Sequence, residues 1–209
     1  MKNNYDKTAG FYDLLAKMMF GNTLMLAQKS VLPYIPKQAK ILIVGGGTGA
    51  ILEEITKLHP SGMDIVYIEI SEKMLVKSAQ RQFGNNKVQF VHAAIEDYES
   101  ITPFDVIITS FLFDNFKQDK ATLVFKKLDK LLILDGKWLF TDFNVEKSSN
   151  AFWKKWLLNS MYLFFKIFSN VEANQLPDTA LLFHNARYKQ IFQQSFYGKF
   201  IHSAVYQKA

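Results

Sequence analysis

A glycine-rich turn separates a strand-like run from a helix-like run near residue 45, and this arrangement limits the folds open to the chain. Residues 40–44 read KILIV, a short and mostly apolar run of the kind that forms buried strands. Residues 50–59 carry apolar side chains at the spacing of one helix face. Between them stands GGGTG, which lets the backbone turn sharply and approach a ligand with no Cβ in the way. The pattern predicts a strand, a ligand-binding turn and a helix.

The same alternation of strand and helix continues along the chain. Further strands are predicted at 64–68, 87–92, 104–110 and 137–143, and further helices at 71–82 and 117–132. Continuous apolar strands separated by helices indicate a parallel sheet that is covered on both faces. The predicted fold class is therefore α/β, with five parallel strands in a doubly wound, mostly parallel sheet.

A chain of 209 residues has room for one domain with appendages. The predicted parts are an N-terminal helical cap at 1–36, an α/β core at 37–145, a helical insertion or lid at 146–182, and a C-terminal helix and hairpin at 183–209. The hairpin is expected around Tyr197-Gly198-Lys199, packed on one edge of the sheet. Asp135-Gly136 is predicted to be the turn that closes the helix before the fifth strand.

The composition excludes several kinds of site and partner. The chain has no cysteine, so it has no disulfide, zinc-thiolate site or thiol nucleophile, and its four histidines lack metal-ligand spacing. No signal peptide and no bilayer-spanning run is recognisable, so a cytoplasmic location is expected. The net charge of +6 comes without a Lys/Arg block, so nucleic acid is not an expected partner.

An acidic residue lies about twenty residues beyond the glycine turn, as in nucleotide-binding folds. Glu69 ends the second predicted strand, at the same sheet edge as the turn, where it can accept both ribose hydroxyl protons of an adenosine group. The alternative is that Glu69 caps the next helix, although Ser71 suits that role better. The pairing indicates an adenosine-containing cofactor.

The turn alone is also compatible with tight packing or with a dehydrogenase. The dehydrogenase fingerprint needs a third, more distant glycine, but positions 50 and 52 are alanine and leucine. Hydride transfer is therefore the lesser alternative.

Residues 40–142 resemble class I S-adenosylmethionine-dependent methyltransferases of the ubiquinone/menaquinone C-methyltransferase type. The resemblance rests on VGGGTG at 44–49, EISEKML at 69–75 and FDVIITS at 104–110, and YDKTAGFYD at 5–13 is similar to the family's opening helix. It implies a Rossmann-like methyltransferase fold, S-adenosyl-L-methionine as cofactor, and methyl transfer to a small molecule. The cofactor contacts that it implies are Tyr12, Gly45, Gly46, Gly47, Thr48, Gly49, Glu69, Ile70, Ser71, Met74, Ala94, Ile95, Glu96, Thr109, Ser110 and Phe111.

Three positions depart from that family's pattern. Ile43 stands where an acidic residue usually orients the amino end of the cofactor. Ala94 stands near the place of a second acid, which receives the adenine amino group, and Glu96 or a nearby backbone carbonyl is the expected substitute. Gly46 replaces a small side chain, a change expected to be tolerated with a looser turn. These departures favour a second hypothesis, a binding or regulatory module that kept the fold and lost turnover.

Asp114, in the loop after the fourth strand, is the candidate catalytic base by location. Capping of a helix that begins near Phe116 is an equally good role for it. Methyl transfer from a sulfonium depends mainly on positioning and exclusion of water, so a dedicated base is optional. A nucleic-acid methyltransferase is disfavoured because TSFL at 109–112 replaces the Asn-Pro-Pro-Tyr-like motif that resembles base-modifying enzymes.

Aromatic residues outside the core indicate an apolar or aromatic small-molecule substrate. The expected substrate contacts are Tyr5, Phe11, Phe113, Trp153 and Trp156. The segment 152–168 is apolar on most helical faces, which is compatible with packing on the domain, with a homodimer contact or with transient contact with a membrane surface.

Overall fold

The strands and helices follow the predicted order. The computed structural model describes residues 20–144 and 176–209. Its strands are β1 (Lys40–Val44), β2 (Ser61–Glu69), β3 (Asn85–His92), β4 (Phe104–Ser110), β5 (Leu132–Phe143), β6 (Lys189–Phe196) and β7 (Ile201–Gln207). Its α-helices are α1 (Thr23–Val31), α2 (Ala50–Leu58), α3 (Glu72–Ala79), α4 (Gln118–Leu131) and α5 (Thr179–Asn185).

One seven-stranded sheet organises the described residues, in the order β3-β2-β1-β4-β5-β7-β6. The first five strands in this order are parallel, which confirms the predicted fold class, and β7 runs antiparallel to both β5 and β6. The C-terminal hairpin therefore extends the sheet by two hydrogen-bonded strands. The strand order reverses between β1 and β4, and in such sheets this reversal opens a crevice at the carboxyl ends of the strands.

Both faces of the sheet are buried, which explains why the strands read as continuous apolar runs. Leu42, Val44 and Ile68 lie in one core cluster with the apolar face of α4. Ile43 and Tyr67 point to the opposite face and pack in a second cluster with α2. Alternate side chains thus serve different cores, as the two-residue period of a strand requires.

The Asp135-Gly136 prediction was wrong about the role of these residues. Strand β5 begins at Leu132, directly after α4, and its pairing with β4 is irregular between Phe104 and Val106. Asp135 takes a left-handed φ of 61°, and its N–H donates to the Lys208 carbonyl at 3.0 Å. The two residues therefore form an irregularity inside the strand, because pairing with β4 and the C-terminal segment continues the extended chain on both sides of the turn signal.

In the part of the chain that the structure describes, no helix is long and apolar enough to cross a membrane.

Candidate functional site

A cavity of about 510 Å³ opens at the carboxyl end of the sheet, between the glycine turn, α1 and the end of β4. It lies beside the crevice where a doubly wound sheet binds its ligands. Of the predicted cofactor contacts it is lined by Gly45, Gly46, Gly47, Thr48, Ser110 and Phe111. The structure thus brings the glycine turn and the end of β4 together around one space.

The peptide groups of Gly47 are held by two side chains of β2. The Gly47 N–H donates to Glu69 Oε2 at 2.9 Å, and the Tyr67 hydroxyl donates to the Gly47 carbonyl at 3.0 Å. Tyr67 and Glu69 are two residues apart on a strand, so their side chains lie on the same face. Glu69 therefore contacts the turn from the β2 side, although it does not line the cavity itself.

Tyr67 also explains the glycine at position 46. A Cβ added to Gly46 would lie 2.5 Å from Tyr67 Cζ, a distance that real Cβ atoms do not reach. Tyr67 is fully buried, so its ring has no open space into which to move. The tyrosine ring occupies the space that a side chain at position 46 would take, so packing requires glycine here, and the looser turn stays a prediction. Burial, together with the charge of Glu69, raises the pKa of Tyr67 well above its usual value and keeps its hydroxyl a proton donor.

A third contact reaches the turn from the end of α3. Arg81 Nε donates to the Thr48 carbonyl at 2.9 Å, and Arg81 Nη1 lies 3.4 Å from Glu53 Oε1. Arg81 also lines the cavity. Neither Tyr67 nor Arg81 was predicted from the sequence to belong to the site.

Hydrogen bonds connect Glu69 to the segment that follows β2. Glu69 Oε1 accepts a hydrogen bond from the Ser71 N–H at 2.9 Å, and Glu69 is 4% exposed. Ser71 is the N-cap of α3, and its hydroxyl accepts a bond from the Met74 N–H at 3.3 Å. Ser71 and not Glu69 therefore caps the helix. The Ile70 carbonyl is bonded to His92 Nε2 at 3.0 Å, which ties the ends of β2 and β3 together.

The predicted adenine end lies after β3. Ala94 and Ile95 are buried there, and Ile95 packs in the core beneath α4. The Glu96 carboxylate pairs with Lys120 at 2.9 Å, and the Glu96 carbonyl accepts a bond from Lys127 Nζ at 2.7 Å. Both the carboxylate and the carbonyl of Glu96 are therefore paired with lysines of α4. This pairing favours another backbone carbonyl of the segment as the acceptor for the adenine amino group.

Three predicted contacts have other surroundings than expected. The Thr109 hydroxyl accepts a hydrogen bond from Trp138 Nε1 at 2.9 Å inside the core. Phe113 is 1% exposed and packs against Trp138 and Phe140, so we leave it out of the proposed substrate site. Gly49 lies against α3, where an added Cβ would be 2.6 Å from Ser78 Cβ, so it serves packing. Tyr5, Phe11, Tyr12, Trp153 and Trp156 lie outside the described residues.

Asp114 belongs to a pair of buried carboxyl groups, of which only Asp114 was predicted from the sequence as a site residue. Helix α4 begins at Gln118 with Lys117 as its N-cap, so Asp114 does not cap it. Burial raises the pKa of Asp114 from 3.8 to about 7. Burial and the nearby Asp114 charge raise the pKa of Asp142 well above its usual value. Asp142 accepts hydrogen bonds from the N–H groups of Phe113 at 3.0 Å and Phe143 at 2.8 Å, which fixes it at the end of β5.

The raised pKa of Asp114 predicts a pH dependence of stability. The folded chain retains this proton at pH values where the unfolded chain has lost it, so the free energy of unfolding falls as the pH rises from about 4 to about 7. Asp114→Asn removes this ionisation. We therefore expect the melting temperature of the variant minus that of the wild type to increase between pH 5 and pH 8. Asp119→Asn, at an exposed position in the first turn of α4, is the matched control and should show no such trend. A melting difference for Asp114→Asn that is constant over this range would contradict the buried-acid assignment.

Aromatic rings form a wall behind Phe111, which stands at the edge of the cavity. Phe111, which lines the cavity, lies 4.9 Å from Phe143 between ring centroids, and Phe143 lies 5.6 Å from Phe20 and 5.2 Å from Phe200. Phe111 adopts a left-handed φ of 52°, an unusual conformation for a bulky residue and one that concentrates at functional sites. No group of three or more His, Asp or Glu residues suited to a metal ion occurs within 20–144 and 176–209.

Part of the chain matches a known protein family, and its fold is similar to solved structures. Residues 42–137, slightly less than half of the chain, match the family model of a methyltransferase domain. No curated protein sequence matches the chain. The chain is similar in structure to magnesium protoporphyrin IX methyltransferase from Synechocystis PCC 6803 with bound S-adenosylhomocysteine, with a TM-score of 0.70 and 12% identity over 98% of this chain and 97% of that chain.

Two further solved structures have nearly the same similarity. The 1,6-didemethyltoxoflavin-N1-methyltransferase of Burkholderia thailandensis has a TM-score of 0.69 and 13% identity, over 97% of this chain and 85% of that chain. Mitomycin 7-O-methyltransferase has a TM-score of 0.69 and 12% identity over 95% of this chain, which spans 57% of that protein. The chain therefore has the Rossmann-like fold of these solved methyltransferases, and residues 42–137 match the model of a methyltransferase domain.

Proposed function

We propose that the chain transfers a methyl group from S-adenosylmethionine to a small apolar or aromatic molecule. The observation that carries this proposal is the Gly47 peptide held between Glu69 and Tyr67 at the edge of the cavity. This arrangement keeps a bare backbone turn and a carboxylate in fixed positions at the place where class I folds bind their nucleotide.

The residues present fit an adenosyl sulfonium cofactor. The turn presents backbone at Gly45, Gly46 and Gly47 to the cavity, which suits the methionine part. A carboxylate has about four acceptor positions, so Glu69 can hold the Gly47 and Ser71 amides and also accept ribose hydroxyl protons. When bound, the cofactor supplies a methyl group that is already activated, and this chain positions the acceptor and excludes water.

The proposed substrate class follows from the aromatic wall. Phe111 lines the cavity, and Phe143, Phe20 and Phe200 pack behind it. Such an apolar aromatic surface favours apolar and planar ligands. The names of the neighbours support small molecules as substrates, since one is a protoporphyrin methyltransferase and another carries bound didemethyltoxoflavin. These neighbours include an N- and an O-methyltransferase, so the resemblance to C-methyltransferases stays a prediction.

Asp114 remains the proposed base where an acceptor must lose a proton. It follows the end of β4, and its pKa of about 7 suits proton transfer near neutral pH. Asp114 follows Phe111 in the sequence, and its carboxyl group does not line the cavity. This role therefore requires that a substrate reach deeper than the open space.

Turnover is tested by incubating the chain with S-adenosylmethionine and a panel of acceptors while S-adenosylhomocysteine is measured. The panel pairs phenols and aromatic N-heterocycles with sugars and polar amino acids. We expect product formation with members of the aromatic group. Methylation of polar compounds alone would contradict the substrate class. Tight binding of S-adenosylhomocysteine without turnover on a broad panel would favour the non-catalytic module instead.

A further inference from the structure

We propose that Arg81 binds the carboxylate at the amino-acid end of the cofactor and that this contact replaces recognition of the ammonium group. This inference rests on the proposed function, since it assumes that the cavity beside the glycine turn receives an adenosyl amino acid. Such a ligand ends in a zwitterion with one carboxylate and one ammonium, so a site can hold its tail by either charge.

The charge pattern of the cavity favours the carboxylate. Among the described residues that line it, Arg81 is the only charged one. Ile43, which also lines the cavity, is 1% exposed and packs in the apolar cluster with α2. An ammonium group would therefore meet no carboxylate among the described lining residues, whereas a carboxylate would meet the guanidinium of Arg81.

The guanidinium of Arg81 is held at the edge of the cavity. Its Nε–H donates to the Thr48 carbonyl at 2.9 Å, while Nη2 lies 3.5 Å from Thr48 Oγ1. A guanidinium has five N–H donors in a planar fork and binds carboxylates in bidentate fashion. The short contact through Nε thus anchors the side chain to the turn and keeps its terminal amino groups next to the lining residue Thr48.

The N-terminus of α2 adds an electrostatic field that favours an anion in the cavity near Arg81. Helix α2 begins at Ala50, its N-cap Gly49 makes no side-chain capping bond, and Ala50 and Ile51 line the cavity. The positive end of a helix dipole stabilises an anion near its first turn. Glu53 in that turn acts in the opposite sense, since its carboxylate lies 3.4 Å from Arg81 Nη1 and competes for the same cation.

The test compares ligands with and without the carboxylate by titration calorimetry. The probes are S-adenosylhomocysteine, decarboxylated S-adenosylmethionine and 5′-methylthioadenosine, which lacks the amino-acid tail. For Arg81→Gln we expect S-adenosylhomocysteine to bind about ten- to a hundredfold more weakly, the loss of a hydrogen bond to a charged group. The affinities for the other two probes should stay within about twofold, a factor small beside that loss. Arg81→Lys, which keeps the charge, should retain part of the affinity.

Glu53→Gln is the matched control, because it removes the other partner of the same ion pair. The inference predicts that this variant binds S-adenosylhomocysteine at least as tightly as the wild type, since the competing carboxylate is gone. A purely structural role of the pair predicts that both variants weaken all three probes. Equal losses for S-adenosylhomocysteine and 5′-methylthioadenosine in Arg81→Gln, or no loss at all, would overturn the inference. A wild type that binds none of the probes would instead overturn the proposed function.

Discussion

Glu69→Ala is expected to weaken binding of S-adenosylhomocysteine by more than about tenfold, because it removes a charged acceptor worth about 1.5–3 kcal/mol. The substitution has two effects on the site. It removes the carboxylate proposed to accept the ribose hydroxyl protons, and it leaves the Gly47 and Ser71 amides without the acceptor they now use. Calorimetry with S-adenosylhomocysteine measures the loss, and circular dichroism checks that the sheet is intact.

Two variants separate these effects. Glu69→Gln keeps the shape and one acceptor oxygen but loses the charge, so its affinity should fall between those of the wild type and Glu69→Ala. Glu72→Ala changes the same charge at an exposed position in the first turn of α3 and should leave the affinity unchanged. An unchanged affinity in Glu69→Ala with a folded protein would remove Glu69 from the cofactor site.

Among single glycine-to-alanine substitutions at the turn residues that line the cavity, Gly46→Ala is expected to lower stability and ligand affinity the most. The new Cβ would lie 2.5 Å from two carbon atoms of the buried Tyr67 ring, so either the ring or the turn must shift. Overpacking of this kind costs about 1–3 kcal/mol. We expect a lower melting temperature and, because Gly47 is displaced from Glu69 and Tyr67, weaker binding of S-adenosylhomocysteine.

A double-mutant cycle with Tyr67→Ala tests the cause. Tyr67→Ala is itself destabilising, since removal of a buried aromatic ring costs about 3–5 kcal/mol. Once the ring is gone, the added methyl group at position 46 has space, so Gly46→Ala should cost much less in the Tyr67→Ala background than in the wild type. Equal costs in the two backgrounds would show that the ring is not what demands glycine at this position.

The sequence was sufficient to predict the parts of the fold that depend on local pattern. Strands β1 and β4 begin and end where predicted, because each is a continuous apolar run bounded by polar or glycine residues. Asp135-Gly136 was misread because its turn signal is local, whereas the pairing that makes it an irregularity in β5 is not. The C-terminal hairpin was recognised, but its place next to β5 depends on tertiary contacts that no short segment encodes.

The candidate site, like the fold, was predictable only where a local sequence pattern marks it. The glycine turn and Glu69 carry recognisable spacing, whereas Tyr67 looked like an ordinary apolar strand residue and Arg81 like a charge at a helix end. A signal for Tyr67 existed: it lies two residues before Glu69 and therefore on the same face of β2, opposite a turn that lacks any side chain at position 46. Asp142 gave no such signal, because its pairing with Asp114 arises only when β4 and β5 lie side by side.

We expect an adenosyl group to bind where β1 and β2 end, with its ribose on Glu69 and its tail against the glycine turn. A crystal structure of the protein with S-adenosylhomocysteine tests this placement. The complex should show ribose hydroxyls within hydrogen-bond distance of the Glu69 carboxylate and an amino-acid tail in the cavity beside Gly45 and Thr48. A complex with the ligand bound elsewhere, or a saturating soak that leaves this cavity without ligand, would contradict it.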